Sequence, residues 1–519
     1  MNPTLADLLN HHLQRSLYSQ GQLALLSGVP KNTLTNWLAG RVTKPHQWHG
    51  LVRVASALRL TAPEADALLF AAGHPSLTEL RRTNPADRPL FALWATASPV
   101  PFQALPDIPY FVGREAELEQ VQQILQTGGH FCCLRGMGGV GKTALAARLA
   151  YAMRPAFPDG VLWARLDTSD SMTILYTLAG AYGLDVSAYT SLDSRAALVR
   201  GLLAHKRALL ILDNAESSAQ LAPLLPPTTG TCAVLVTTRF ELAITDGWPR
   251  LELHPFAPES SHALTLFARF FGPTRAQKNR LTLQEIAAYV GHLPLALAIL
   301  AAQLGQPTQA EIQAMRHRLQ ASYDRLSELE REQRSVRATF EITYTALPPD
   351  VQWFFAQLGA FGGEDFTDHA VSAVTEISLD EAQNRLRQLR QLSLVQDSRA
   401  DRFRLHPLLR DFAREKLLAH TTAPYARMIR YYLQQVASLP APYTSPPTSL
   451  LPDISNLIAC LDLAYEHHLL PDLLQAIRTF FEILYQQGLA SVLEKPLNQA
   501  IAWTKTTDEK PQQAEMFTL

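Results

Sequence analysis

Gly136-Met137-Gly138-Gly139-Val140-Gly141-Lys142-Thr143 decides the fold class of this 519-residue chain. The stretch follows the apolar run His130–Arg135 and opens a helical pattern over 142–154, so its context is strand, loop, helix. A Gly-rich loop binds phosphate because its successive backbone N–H groups converge inward and no side chain blocks the approach. The helix amino terminus behind such a loop adds its partial positive charge. In this pattern Gly136, Gly138, Gly139, Val140 and Gly141 form the cradle. Lys142 reaches the β- and γ-phosphates, and the Thr143 hydroxyl ligates Mg²⁺.

Outward from the loop, short apolar runs alternate with amphipathic stretches between about 110 and 255. Strands are predicted at His130–Arg135, Val161–Asp167, Arg207–Asp213, Cys232–Arg239 and Leu251–Leu253, with helices over 142–154, 170–183 and 192–206. Strands alternating with helices mean βαβ units and a parallel sheet. Ala208-Leu209-Leu210-Ile211-Leu212-Asp213 is an apolar strand ending in an acid, the form of a Walker B strand whose Asp213 holds Mg²⁺ through water. An acid at a strand's carboxyl end faces the same crevice as the loop. Alone the feature is weak; about 70 residues after a phosphate loop it is strong.

With these motifs in place, residues 110–415 resemble the NB-ARC module of STAND-class signalling ATPases, which include plant resistance proteins, the apoptotic-protease activating factor and many bacterial regulators. Phe111-Val112-Gly113-Arg114-Glu115 is similar to the module's first motif, which implies that Val112 and Arg114 flank the adenine. Val234-Leu235-Val236-Thr237-Thr238-Arg239 is similar to the sensor strand, which implies that Arg239 senses the γ-phosphate and acts in catalysis with Lys142 and Asp213. Gly291-His292-Leu293-Pro294-Leu295-Ala296-Leu297 resembles the GLPLAL motif, whose proline, here Pro294, packs on the base. Leu405-His406-Pro407-Leu408-Leu409 stands where the family has Met-His-Asp, implying that His406 contacts the β-phosphate of ADP. The implied cofactors are ADP or ATP with Mg²⁺.

Two departures bear on chemistry. Asn214 follows Asp213 where plant members often have a second acid, and an amide cannot act as a general base, so the expected activity is at most a slow, switch-type ATPase. Glu216 lies nearby in sequence without an assignable place. Pro407 replaces the aspartate after His406, so the ADP-locking network is expected to be built differently.

At the other end, residues 1–62 carry six Lys or Arg against one acid, Asp7, although the formal net charge of the whole chain is −1. Such a patch suggests an anionic partner for that segment alone. Residues 20–40 read as two short helices around a tight turn: Leu23, Leu26 and Val29, then Leu34, Trp37 and Leu38 on one face, with Ala24 and Gly28 where a helix-turn-helix needs small residues. The segment resembles Xre/Cro-type repressor domains, whose five helices would cover about 4–72. Lys31, Asn32, Thr33, Thr35 and Asn36 would then lie on the exposed side of a recognition helix, and Arg41 just beyond it, to meet double-stranded DNA. A helical protein-recruiting module is the other reading.

Proline-rich joints at 83–109 and 439–452 punctuate the chain. After 256 it reads as helix almost throughout, except a strand-like pair at 393–396 and 402–405. Residues 345–405 look like a winged-helix element with that pair as its wing. Helices near 423–437, 453–468, 470–487 and 489–503 are similar to the start of a tetratricopeptide-like array. Only about two helix pairs are present where such repeats usually need at least three, so the expectation is a short sensor or an incomplete chain.

The predicted fold class is multidomain α and α/β, an ASCE-like P-loop NTPase sheet flanked by all-α helix-turn-helix, helical ARC, winged-helix and TPR-like domains. The expected order is 1–82 helix-turn-helix, 83–109 linker, 110–255 nucleotide-binding, 256–340 helical ARC, 341–420 winged-helix and 421–519 TPR-like. Cys132, Cys133, Cys232 and Cys460 lack metal-ligand spacing and read as core residues. No signal peptide is evident, and the longest apolar stretch, Leu293–Leu304, is too short to span a bilayer, so the expectation is a cytoplasmic protein without membrane contact. The expected function is an ADP-off, ATP-on transcriptional regulator that oligomerises with ATP and senses an unknown ligand or protein through its carboxy-terminal helices. The alternative is a defence or signalling sensor whose amino-terminal domain recruits protein.

Overall fold

The computed structural model describes residues 4–506 except 17, 59, 61, 78, 81–86, 88–89, 91–99, 127–129, 324–330, 399–400 and 439–449. Most of the first proline-rich joint and of the second therefore lies outside the described residues. The chain divides into two compact units, Met1–Val100 and Pro101–Leu519.

The first unit is a helical bundle that includes α1 (Leu5–Ser16), α2 (Gln20–Ser27), α3 (Lys31–Leu38), α4 (Trp48–Ala57) and α5 (Ala62–Ala71). A reciprocal capping box starts α2, with Gln22 N donating to Ser19 Oγ and Ser19 N donating to Gln22 Oε1. Gly28 ends it at φ +63°, a left-handed cap that other residues adopt at a cost. Leu23, Val29, Leu34, Trp37 and Leu38 are buried as their spacing predicts. Leu26 differs: it is 57% exposed beside Leu25 at 83%, because α2 is only two turns long and turns its Leu23 side inward.

The second unit begins earlier than the sequence suggests. Residues 101–109, expected within the linker, run along the sheet: Val161 N donates to Pro101 O, Gln103 N donates to Val161 O, and Leu105 is buried. The α/β part then comprises α6 (Glu115–Gln126), β1 (Phe131–Gly136), α7 (Lys142–Met153), β2 (Val161–Arg165), α8 (Ser171–Ala181), α9 (Leu192–Ala204), β3 (Leu209–Ala215), β4 (Ala233–Thr238) and β5 (Arg250–Leu253). The strands form one parallel sheet in the order β2-β3-β4-β1-β5. Placing β4 between β1 and β3 is the ASCE-like arrangement. Strands β1 to β4 are apolar on both faces because helices cover both.

Helices α10 (His262–Phe271), α11 (Pro273–Lys278), α12 (Arg280–Tyr289), α13 (Pro294–Leu304), α14 (Gln309–Tyr323) and α15 (Arg331–Thr345) follow. Pro294 occupies the first turn of α13, where its missing N–H costs nothing. Next come α16 (Pro349–Gln357), β6 (Phe366–Thr367), α17 (Asp368–Thr375), α18 (Leu379–Gln391), β7 (Gln396–Asp397), β8 (Arg402–Arg404) and α19 (Pro407–Leu418). The strand-like pair expected within 393–405 forms as β7 and β8, but β8 is the middle of three antiparallel strands, with β6 on its other edge. The last helices are α20 (Ala423–Ala437), α21 (Ile454–Glu466), α22 (Leu470–Gln486) and α23 (Glu494–Thr506). All four cysteines are free and buried. Among the described residues no helix is long and apolar enough to cross a membrane.

Candidate nucleotide-binding site

Gly141 caps α7 at φ +104° and Gly139 turns at φ +81°, so the loop coils back over the helix amino terminus. Lys142 is buried, and its Nζ donates to Gly136 O at 2.7 Å and Met137 O at 3.0 Å. Burial first, and the nearby Arg239 second, pull its ammonium down to about 8. Thr143 Oγ1 donates to the Asp213 carboxylate at 3.0 and 3.2 Å. Asp213 also accepts from Thr237 Oγ1 at 2.5 Å, and complete burial pushes its pKa up.

A hydroxyl on the first turn of α7 and a carboxylate on β3, joined in this way, are hard oxygen donors of the kind that share Mg²⁺ with phosphate and water. Among the described residues no group of three or more His, Cys, Asp or Glu could hold a metal by itself.

The cavity over the loop is lined by Val112, Arg114, Gly138, Gly139, Val140, Gly141, Lys142, Thr143, Asp213, Arg239, Pro294 and His406. Of the residues predicted for it, Gly136 alone does not line it. It pairs with Leu253 at the end of β1, where a β-carbon would collide with the Leu253 carbonyl, and its own carbonyl holds Lys142. Arg114 is tied to Glu117 at 2.7 Å and to the carbonyls of Val140 and His254, with Phe256 beneath it, so it braces the rim. Arg239 is exposed at the mouth.

His406 caps α19, and its Nδ1 accepts from Leu408 N at 3.2 Å. Burial, then the surrounding Arg239, Arg404, Lys142 and Arg165, hold its pKa well below the usual value, so the ring is neutral. With Nδ1 accepting, the proton sits on Nε2, and the ring offers a donor from that edge. The Met-His-Asp aspartate has no counterpart because Pro407 starts the helix there.

Several lining residues carried no usable signal in the sequence. Pro106, Ile108 and Tyr110 come from the segment expected to be linker and the start of the module. Arg165 comes from the end of β2, and Ser393, Gln396 and Arg404 come from the small antiparallel sheet and the residues leading into it. Asn214, at φ +60°, also lines the cavity, whereas the Glu216 side chain is exposed and does not.

In the first unit, Lys31, Asn32 and Arg41 are exposed, and Thr33, Thr35 and Asn36 are half-buried along α3. Thr35 Oγ1 is turned back onto Lys31 O at 2.9 Å. Thr33 and Asn36 border a groove that also includes His46, His49 and Arg53.

Fold and site are those of a multidomain protein with a P-loop ATPase domain and a helical carboxy-terminal region, and the family model of the AAA ATPase domain matches residues 110–283. The chain is similar to the regulatory protein AfsR of Streptomyces coelicolor, at 33% identity over 424 residues, which is 76% of this chain and 42% of AfsR. It is also similar to a Mycobacterium tuberculosis protein named for an HTH-type transcriptional regulator, at 28% identity over 331 residues, 60% of this chain and 36% of that one. A solved Pyrococcus horikoshii STAND protein with a tetratricopeptide repeat sensor superposes with a TM-score of 0.47 at 17% identity, covering 81% of this chain and 62% of that one. The chain thus spans about two fifths of the length of AfsR.

Proposed function

We propose that this chain is a nucleotide-switched transcriptional regulator, held off by ADP, turned on by ATP, and acting on double-stranded DNA through its amino-terminal unit. One observation carries the switch reading: a single cavity is built by the phosphate loop and by the winged segment more than 250 residues later, and its walls hold Lys142, Arg165, Arg239 and Arg404. That excess of cations calls for a polyphosphate. In this reading Lys142 and the loop amides take the β-phosphate, and Thr143 and Asp213 hold Mg²⁺. Val112, Arg114 and Pro294 border the base, His406 donates to the β-phosphate from Nε2, and Arg239 meets the γ-phosphate. Bound Mg²⁺ would neutralise phosphate charge. Hydrolysis is slow, because Asn214 stands where a water-activating acid would be and Glu216 faces away from the cavity. ATP favours a separated winged element and self-assembly only through its different affinity for the two states.

The regulatory names of the relatives and the exposed polar face of α3 support the DNA reading. Leu25 and Leu26, exposed side by side on α2, favour the second reading, recruitment of a protein partner. We place the boundaries of the helical, winged and tetratricopeptide-like domains where the sequence suggests them, with the α/β domain opening at 101. The deciding experiment is nucleotide content. ADP should co-purify with the intact chain, and Lys142→Ala should abolish its retention. An unchanged content in that variant would remove the switch.

A further inference from the structure

Arg165, Arg402 and Arg404 are buried and Arg410 is half-buried, and three of these four arginines have carboxylate partners. Arg165 pairs with Asp167 at 2.8 Å, and Arg410 reaches the same carboxylate at 3.3 Å. Arg402 pairs with Asp365 at 2.6 Å and Asp453 at 2.7 Å. Arg404 is the exception. It is 9% exposed, its Nε is buried without an acceptor, and its side chain makes no hydrogen bond or ion pair among the described residues.

Asp213 does not supply the missing partner. Its carboxylate is occupied by Thr143 and Thr237, and Arg404 forms no ion pair with it. Burial first, and the charge of Arg165 second, draw the Arg404 guanidinium down to about 10 against the opposing fields of Asp213, Asp167 and Asp365, none of which forms an ion pair with it. An unpaired buried cation is expensive, and folds keep one chiefly where something else compensates it.

The position of Arg404 says what that is. It lies on β8, the middle strand of the small sheet, in register with Gln396, and both residues line the cavity over the phosphate loop. A guanidinium is a planar fork of N–H donors that matches two oxygens of one phosphate.

We propose that Arg404 is a phosphate ligand of the bound nucleotide, delivered to the P-loop site by the middle strand of the winged element. The diphosphate then bolts the winged element over the loop, and the element's own cation makes the bolt. The proposal rests on the reading that the cavity takes a nucleotide, and the test separates the two.

The intact chain is stripped of nucleotide and titrated with ADP calorimetrically, as wild type, Arg404→Gln, Arg404→Lys and Lys142→Ala. Arg404→Gln should weaken ADP by about 10- to 100-fold, the worth of one charge-assisted pair, and Arg404→Lys should recover part of that loss. The thermal midpoint of the empty Arg404→Gln protein should equal or exceed that of wild type, since an unpaired charge is removed, while its ADP-induced increase shrinks. Wild-type ADP affinity in Arg404→Gln, or a lowered midpoint of the empty protein with no recovery by lysine, overturns the proposal and makes Arg404 structural. If Lys142→Ala also binds ADP like wild type, the nucleotide reading of the cavity itself has failed.

Discussion

Gly488→Ala should loosen the carboxy-terminal helices from the α/β domain, and the size of the effect can be worked out from one arginine. Arg195 on α9 is fully buried, yet its hydrogen bonds go only to backbone carbonyls: Tyr189, Met172 and Val186 within the α/β domain, and Gln487 and Gly488 in the turn after α22. The last two, at 3.2 and 2.5 Å, join segments about 290 residues apart. Gly488 sits at φ +64°, and a β-carbon there would overlap Arg195 Nη2 and the Ser187 carbonyl. The left-handed conformation costs an alanine about 1 kcal/mol. The overlap with fixed backbone forces the turn away, and each charge-assisted hydrogen bond lost is worth roughly 1.5–3 kcal/mol before water recovers part of it. A total of about 3–5 kcal/mol follows, close to that expected for Arg195→Ala. Urea unfolding followed by hydrogen exchange across 470–503 would measure it. Because both substitutions break one contact, their effects should fall short of additivity by about 2 kcal/mol. Additive effects, or unchanged exchange in α22 and α23, would refute the reasoning.

The Lys142 ammonium gives a pH signature. In the empty site it titrates near 8, and a phosphate would raise that value, so binding takes up a proton once the pH exceeds about 8. ADP affinity should be level below about pH 7 and fall by up to about tenfold per unit above 8, as calorimetry at several pH values would show. A level profile through pH 9.5 would mean that Lys142 does not meet the phosphate. For DNA, Lys31→Ala and Arg41→Ala in the intact chain should each weaken duplex binding and lower the salt slope by about one. Absence of any binding at low salt would favour the protein-recruiting reading.

The parts legible in the sequence are those whose signal is local. The phosphate loop, the acid near the carboxyl end of β3 and each strand or helix of the alternating pattern are marked within a short local window, and they predicted the sheet and most of the cavity. Cys232–Arg239 reads as a strand, but its insertion between β1 and β3 comes from packing rather than from its own residues. Strand β6, Phe366–Thr367, is too short for any periodicity to register. Residues 101–109 have a linker's composition, and only their pairing with Val161 assigns them to the sheet. Arg195 is hidden for another reason: its acceptors are carbonyls, which every residue has, so no partner type marks the contact. Arg404 stands in an ordinary strand-like run, and what distinguishes it from Arg402 is direct pairing: Arg402 is hydrogen-bonded to Asp365 and Asp453, whereas Arg404 feels carboxylates without an ion pair to any of them.

That contrast on β8 also suggests how a nucleotide could act at a distance. Arg402 and Arg404 are two positions apart on one short strand, the spacing that puts side chains on the same face. Arg404 points to the phosphate loop, while Arg402 is held by Asp365 and by Asp453 at the start of α21. Asp453 in turn accepts from Asn456 Nδ2 at 2.9 Å and from the Tyr432 hydroxyl at 3.2 Å. Gly363 lies so close to Asn456 that a β-carbon there would strike its amide, leaving this junction little slack. A shift of β8 that carries Arg404 out of the cavity therefore also pulls on the ion pairs that anchor the carboxy-terminal helices. On the proposed role of Arg404, the same rigidity would work in reverse: a ligand that moved α20 and α21 would act on that cation. By reciprocity, whatever such a ligand changes in ADP affinity, ADP must change equally in affinity for that ligand.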